Sequence, residues 1–160
     1  MEDTKTNPEG IAIKVDEGKQ YIVVKLGKEH YGIDIQYVDN IVRMQNITRV
    51  PKAQHYFKGV INLRGEIIPV MSMRLKFGLE ADQYNNTTRI IIIKLEPQAA
   101  IGIIVDEVKE VVTLCEENID KPDHNDGDER GAYLNGIGKH GDGLISLLNI
   151  AAVIIEKETA

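Results

Sequence analysis

Two hexapeptides, Tyr21-Ile22-Val23-Val24-Lys25-Leu26 and Ile90-Ile91-Ile92-Ile93-Lys94-Leu95, lie 69 positions apart and share one pattern. Gly32-Ile33 and Val38 recur as Gly102-Ile103 and Val108, 70 positions on. Gly59-Val60 and Ile67-Ile68 recur as Gly136-Ile137 and Leu144-Ile145, 77 positions on, and Ser72 then falls on Asn149. Two Ile-rich halves can slide into partial register by chance, but here four elements recur in one order. The chain is therefore expected to build two similar units of about 65 residues each. The growing offset places the extra length mainly in 120–131, a polar stretch that reads as a surface loop.

The units read as β. The chain holds 23 Ile and 13 Val against 2 Phe and no Trp. Branched side chains are stiff at χ1 and fit a pleated surface. Residues 21–26 and 30–35 read as a hairpin closed at Gly27-Lys28-Glu29. Asp34 is placed to cap a short helical stretch whose apolar positions, Ile35, Val38, Ile41 and Val42, are spaced three, three and one. A short strand is expected at 47–50, stopped by Pro51, and a hairpin at 60–70 turning at Arg64-Gly65. Ser72 can cap a helix over 73–77, with Gly78 as its stop. Strands at 89–95 and 100–105 open the second half.

Residues 1–18 are polar and read as a flexible tail, and 19–156 as one domain. Its subdomains are expected at about 19–86 and 87–148, with exchange of strands between them left open, followed by a C-terminal helix over 149–157. Short, closely spaced strands in units this small suit five-stranded barrels. One such unit alone is marginal, so the two are expected to share an apolar seam.

Composition removes several functions. A single Cys excludes a disulfide scaffold and a multi-thiolate zinc site. No apolar run approaches the ~20 residues that span a bilayer, and the polar N-terminus is no signal peptide, so a cytoplasmic protein is expected. A net charge of −6 argues against a nucleic-acid surface. Gly136-Ile137-Gly138-Lys139-His140-Gly141 matches G-x-G-x-x-G, but a strand-like segment follows where a dinucleotide site needs a helix. The acidic stretch 123–129 departs from an EF-hand loop: its glycine falls at position 5 and Leu134 stands at position 12. Neither Ser72 nor Ser146 lies in G-x-S-x-G, and the four histidines lack ligand spacing. No catalytic residue, metal or cofactor is expected, and binding is what remains. Arg64 at a hairpin tip stands out, since arginine is enriched among interface hot spots.

The stretch from Gly59 to Val70, containing Asn62-Leu63-Arg64-Gly65, resembles the signature of CheW-type chemotaxis coupling proteins. Tyr31-Gly32-Ile33-Asp34-Ile35 with Val38 and Ile41, Thr48-Arg49-Val50-Pro51, and Gly102-Ile103-Ile104-Val105-Asp106 match it as well, over about residues 20–155. The resemblance implies a mainly β fold: two SH3-like five-stranded β-barrels sharing a hydrophobic core, with short helices and a C-terminal helix. It implies a non-catalytic adaptor between the cytoplasmic tip of chemoreceptors, the methyl-accepting chemotaxis proteins, and the histidine kinase CheA, whose regulatory domain has the same fold. Receptor binding would then fall on Val38, Gly59 and Arg64, with Ile35, Ile41 and Val105 as weaker candidates. The kinase face is unassigned. The chain departs from the family at Asn40, where Glu is common. Two other readings stand beside this one: a docking module of another histidine-kinase pathway, and a cation-binding protein or enzyme using 123–129.

Overall fold

Side chains alternate between the two faces of a strand, so four consecutive isoleucines, at 90 to 93, demand burial on both faces. The computed structural model describes residues 4–6, 12–14, 18–96, 99–121 and 133–154. In chain order these form β1 (Thr4–Thr6), β2 (Ala12–Lys14), β3 (Lys19–Leu26), β4 (Glu29–Asp34), β5 (Val38–Arg43), β6 (Phe57–Leu63), β7 (Glu66–Ser72) and helix α1 (Met73–Lys76). Then come β8 (Arg89–Glu96), β9 (Ala99–Val105), β10 (Glu107–Leu114), β11 (Ile119–Asp120), β12 (Leu134–His140), β13 (Gly143–Leu148) and helix α2 (Ile150–Ile154).

Apart from the β1–β2 pair, the strands form two sheets, ordered β5-β8-β9-β7-β6 and β10-β3-β4-β13-β12-β11. These are the two SH3-like barrels, and position for position they are one plan built twice. Each is mostly antiparallel with one parallel pair, β7–β9 or β4–β13. In those pairs Val70 faces Gly102 and Leu147 faces Gly32. Bulges fall at Val38/Asn40 and Val108/Glu110, and again at Phe57/Gly59 and Leu134/Gly136. The Ser72 hydroxyl accepts from the Leu75 N–H at 3.1 Å, and the Asn149 side chain from the Ala152 N–H at 3.2 Å. The 70- and 77-residue offsets thus reappear as strand register and as helix caps.

The barrels are not consecutive halves of the chain. The hairpin β3–β4 sits beside β10 and β13, whereas β8–β9 sits between β5 and β7. A plain division at 86/87 therefore cuts across both sheets.

Three apolar clusters follow from this exchange. Ile61, Ile68, Val70, Ile90, Ile92 and Ile104 fill the first barrel. Tyr21, Val23, Val112, Leu114, Ile145 and Leu147 fill the second. Ile91 and Ile93 face the other way, onto Ile22, Val24, Leu26, Ile33 and Ile103 in a shared core that α1 and α2 also enter through Met73, Ile150 and Val153. Burying each such side chain stabilises the fold by about 1.5–3 kcal/mol relative to exposure.

Two local expectations are corrected. The helical stretch after Asp34 is a single 3-10 turn, Ile35–Tyr37, followed by strand β5. The bulge at Val38/Asn40 is the reason: it directs Val38 to the shared core and Val42 into the first barrel, so the apolar spacing loses its period of two. The strand expected at 47–50 is reduced to one bridge, Thr48 with Val60. Within the N-terminal stretch, β1 pairs antiparallel with β2.

Candidate functional site

Asp34 ends β4 and accepts the Gln36 N–H at 3.1 Å, which turns the chain into β5. Ile35 on that turn and Ile41 on β5 are both exposed, while Val38 is half-buried against the shared core. Asn40 spends its side-chain oxygen on the neighbouring Ile41 N–H at 2.9 Å. Gly59 and Arg64 belong to β6 and its turn, at the opposite edge of the same sheet. The candidates therefore lie on the two edge strands of the first barrel. A connection at 44–56 joins those edges and is pinned to β6 by Thr48 and Val60, whose N–H groups each donate to the other's carbonyl at 2.8 Å.

Val105 does not belong with them. It is fully buried in the shared core, so it packs the seam and offers no surface to a partner. Gly59 has only backbone to offer. It is buried at φ +138°, and a Cβ there would stand 2.1 Å from the Thr48 carbonyl oxygen.

Arg64 is exposed and adopts φ +53°, followed by Gly65 at +84°. Two positive φ values in a two-residue turn match the twist of the strands it joins, and such positions favour Gly, Asn or Asp. An arginine there costs about 1–2 kcal/mol. The equivalent position of the second barrel is Gly141, at φ +59°. Asn62 supports the turn by accepting the Gly65 N–H at 3.0 Å.

Sequence reasoning missed a second set of positions. Ile67 and Leu144 are each 61% exposed, and Val111 is 51% exposed. Leu144 is the repeat partner of Ile67, and Val111 of Ile41, so each barrel leaves the same two apolar positions uncovered. The repeat offsets alone were enough to pair them.

A two-bond ion pair joins the barrels. Arg74 on α1 grips Asp106 with two bonds, Nε to Oδ1 at 2.7 Å and Nη2 to Oδ2 at 2.6 Å. The Gly27 N–H, from the β3–β4 turn, donates to the same carboxylate at 2.8 Å. Burial alone pushes the Asp106 carboxyl up, but the bonds from Arg74 and Gly27 and the Arg74 and Lys25 charges outweigh it and hold the carboxyl below its ordinary value. Asp82 goes the opposite way. Burial pushes it up even though the Ser72 hydroxyl donates to it, and its second oxygen is buried with no partner among the described residues.

A carboxyl raised by folding binds its proton more readily in the folded chain. The Asp82 contribution therefore strengthens the fold as pH falls from neutral through the folded value toward about 3.9. Denaturant unfolding of wild type and Asp82→Asn at several pH values should show the difference moving in favour of wild type as pH falls. A difference that stays flat with pH refutes this assignment.

The G-x-G-x-x-G stretch is β12 and its turn into β13, with no helix after it. Among the described residues no group of three or more His, Cys, Asp or Glu could hold a metal ion. The acidic stretch 123–129 lies outside the described residues. No described helix is long and apolar enough to cross a membrane.

Residues 20–158 match the family model of the CheW-like domain. The chain belongs to the CheW-like family. This CheW-like chain is 33% identical over 143 residues to a chemotaxis protein CheW of Klebsiella aerogenes, covering 89% of this chain and 86% of the relative. It is 34% identical to a CheW of Helicobacter pylori, covering 87% and 83% respectively, and 31% identical to one of Bacillus subtilis, covering 92% and 93%. Its structure resembles the crystal structure of a scaffolding protein, a CheW of Thermoanaerobacter tengcongensis, with a TM-score of 0.79, 32% identity, and coverage of 89% and 91%.

Proposed function

We propose that this CheW-like protein is a non-catalytic adaptor that works in the cytoplasm and couples the tips of chemoreceptors to the histidine kinase CheA. The coupling role in chemotaxis rests on family membership across almost the whole chain. For the receptor contact, the observation that carries most weight is Arg64. A turn that favours Gly or Asn holds an exposed arginine at a conformational cost, and such strain persists where a site needs the side chain. Val38, Ile35 and Ile41 supply apolar surface on the other edge of the same barrel. The doubled pair of exposed positions, Ile41 with Ile67 and Val111 with Leu144, suits a kinase domain of the same fold. Adaptor action needs no chemistry. A protein that binds both partners shifts the kinase toward the state in which its combined contacts are better.

Co-sedimentation with a receptor signalling fragment and CheA, separately and together, tests the reading. Arg64→Glu is expected to weaken receptor capture by on the order of tenfold, the scale of a 1.4 kcal/mol loss. Arg64→Asn should also weaken capture, yet raise stability by about 0.5–1 kcal/mol, because Asn tolerates this backbone. Unchanged capture removes Arg64 from the site, and parallel loss of folding makes it structural.

A further inference from the structure

The chain carries 25 acidic residues in 160, which would place about four in any span of 26, yet residues 40–65 contain none. The same span contains Arg43, Arg49, Lys52, Lys58 and Arg64. In a chain with net charge −6 this is a local reversal of sign. The fold concentrates it on the first barrel, since the span runs from β5 through the 44–56 connection to the turn after β6.

A groove of about 730 Å³ opens there. Ile47, Phe57 and Tyr84 give it apolar and aromatic surface, and Arg49, His55 and Lys58 are its basic residues, with no carboxylate side chain in the lining. Elsewhere, Arg74, Lys94, Lys109 and Lys139 each sit within 4 Å of a carboxylate. Arg49 and Lys58 have no such partner among the described residues. The groove is also held in shape by backbone bonds: the Thr48–Val60 pair, and the Phe57 N–H donating to the Gln54 carbonyl at 2.9 Å. A preformed surface loses less entropy when it binds.

We propose that this groove docks an acidic, partly apolar segment of a partner protein. Arg49 and Lys58 would meet its carboxylates, and Phe57 and Tyr84 its apolar side chains. Charge complementarity selects a protein segment over a nucleic acid. An extended polyanion would meet the repulsion of the remaining acidic surface, whereas a short carboxylate-bearing segment senses mainly the groove, because charges farther than about 8 Å apart are screened at physiological salt. The inference stands apart from the Arg64 contact, since it rests on Arg49 and Lys58.

The test is a titration of the full 15N-labelled chain followed by amide shifts. The probes are a short synthetic peptide of glutamate and leucine, its counterpart with lysine for glutamate, a single-stranded DNA oligonucleotide and inorganic phosphate. The acidic peptide alone is expected to shift Arg49, Phe57, Lys58 and Tyr84, to bind more weakly as salt rises, and to lose on the order of tenfold in affinity in the Arg49→Glu/Lys58→Glu double variant. Arg49→Gln/Lys58→Gln should lose affinity in the same direction and serves if the charge reversal disturbs folding. The proposal is overturned by any of three results: no shift or shifts elsewhere, the same shifts with phosphate or the oligonucleotide, or unchanged affinity in both double variants.

Discussion

Gly59→Ala is expected to destabilise the protein by about 3–5 kcal/mol, a large part of the 5–15 kcal/mol that usually holds a domain folded. Three observations combine in that figure. The new Cβ would lie 2.1 Å from the Thr48 oxygen, 2.7 Å from its carbonyl carbon and 3.0 Å from the Arg49 Cα. All three are backbone atoms, so no side chain can swing aside. Relief requires moving the 44–56 connection off β6, which gives up the two 2.8 Å bonds between Thr48 and Val60, each worth about 1 kcal/mol net. The φ of +138° adds a strain of about 1–3 kcal/mol for a residue with a Cβ. Thermal unfolding should fall by roughly 6–20 °C, at about 2–4 °C per kcal/mol for a chain this long. Amide exchange should quicken first at Thr48 and Val60. Gly65→Ala is the control: its φ is also positive, at +84°, but nothing lies within 4 Å of the added Cβ, so only the conformational cost remains. If both variants melt alike, the close approach at Gly59 is not what holds the connection. Any loss of partner binding in Gly59→Ala is then expected to track this unpinning, because Gly59 has no side chain to contribute to a contact.

Much of this architecture is legible in the residues. The run Ile90 to Ile93 announces a strand buried on both faces, and the fold supplies two interiors, one barrel for Ile90 and Ile92 and the shared core for Ile91 and Ile93. The offsets of 70 and 77 predict register: Gly32 faces Leu147 as Gly102 faces Val70. Which strands pair across the halves is not legible, because an alternating pattern marks faces without naming a neighbour. Nothing in the run at 21 to 26 says that it lies beside β10. The bulge at Val38 hid a strand behind a helical spacing, since one extra residue shifts the later side chains to the other face. At the proposed site the sequence marks Arg64 only as a hairpin-tip arginine, and the glycine-type backbone it adopts is seen only in the structure. The sequence misled at Val105, because an apolar residue of the seam and one of an open groove have the same sequence signature.

Asp106→Ala is expected to cost about 2–3 kcal/mol and to loosen one barrel against the other. The residue stands in the link from β9 in the first barrel to β10 in the second. Its carboxylate holds Arg74, which follows β7 of the first barrel, and the Gly27 N–H, from the turn between β3 and β4 of the second. Its own carbonyl accepts the Thr87 hydroxyl at 2.9 Å, and its N–H donates to the Lys25 carbonyl at 3.1 Å. The Arg74 and Asp106 side chains are 20% and 25% exposed, so the pair falls between surface bridges worth about 0–1 kcal/mol and buried ones whose breakage costs about 3–5. The two-bond grip and the third donor place it toward the upper end. Arg74→Ala leaves the carboxylate with Gly27 alone, and the double variant should cost less than the sum of the singles, by about 1–2 kcal/mol, since the two residues share one interaction. Acid supplies an independent check. Folding lowers this carboxyl, so its contribution is complete above about 3.9 and is lost as pH falls through the folded value, opposite in sign to Asp82. Wild type should therefore lose its advantage over Asp106→Asn in acid, and amides of the β3–β4 turn should exchange faster in Asp106→Ala at neutral pH. Additive single costs, or an advantage over Asp106→Asn that persists in acid, would show that the barrels are held together by the shared apolar core alone.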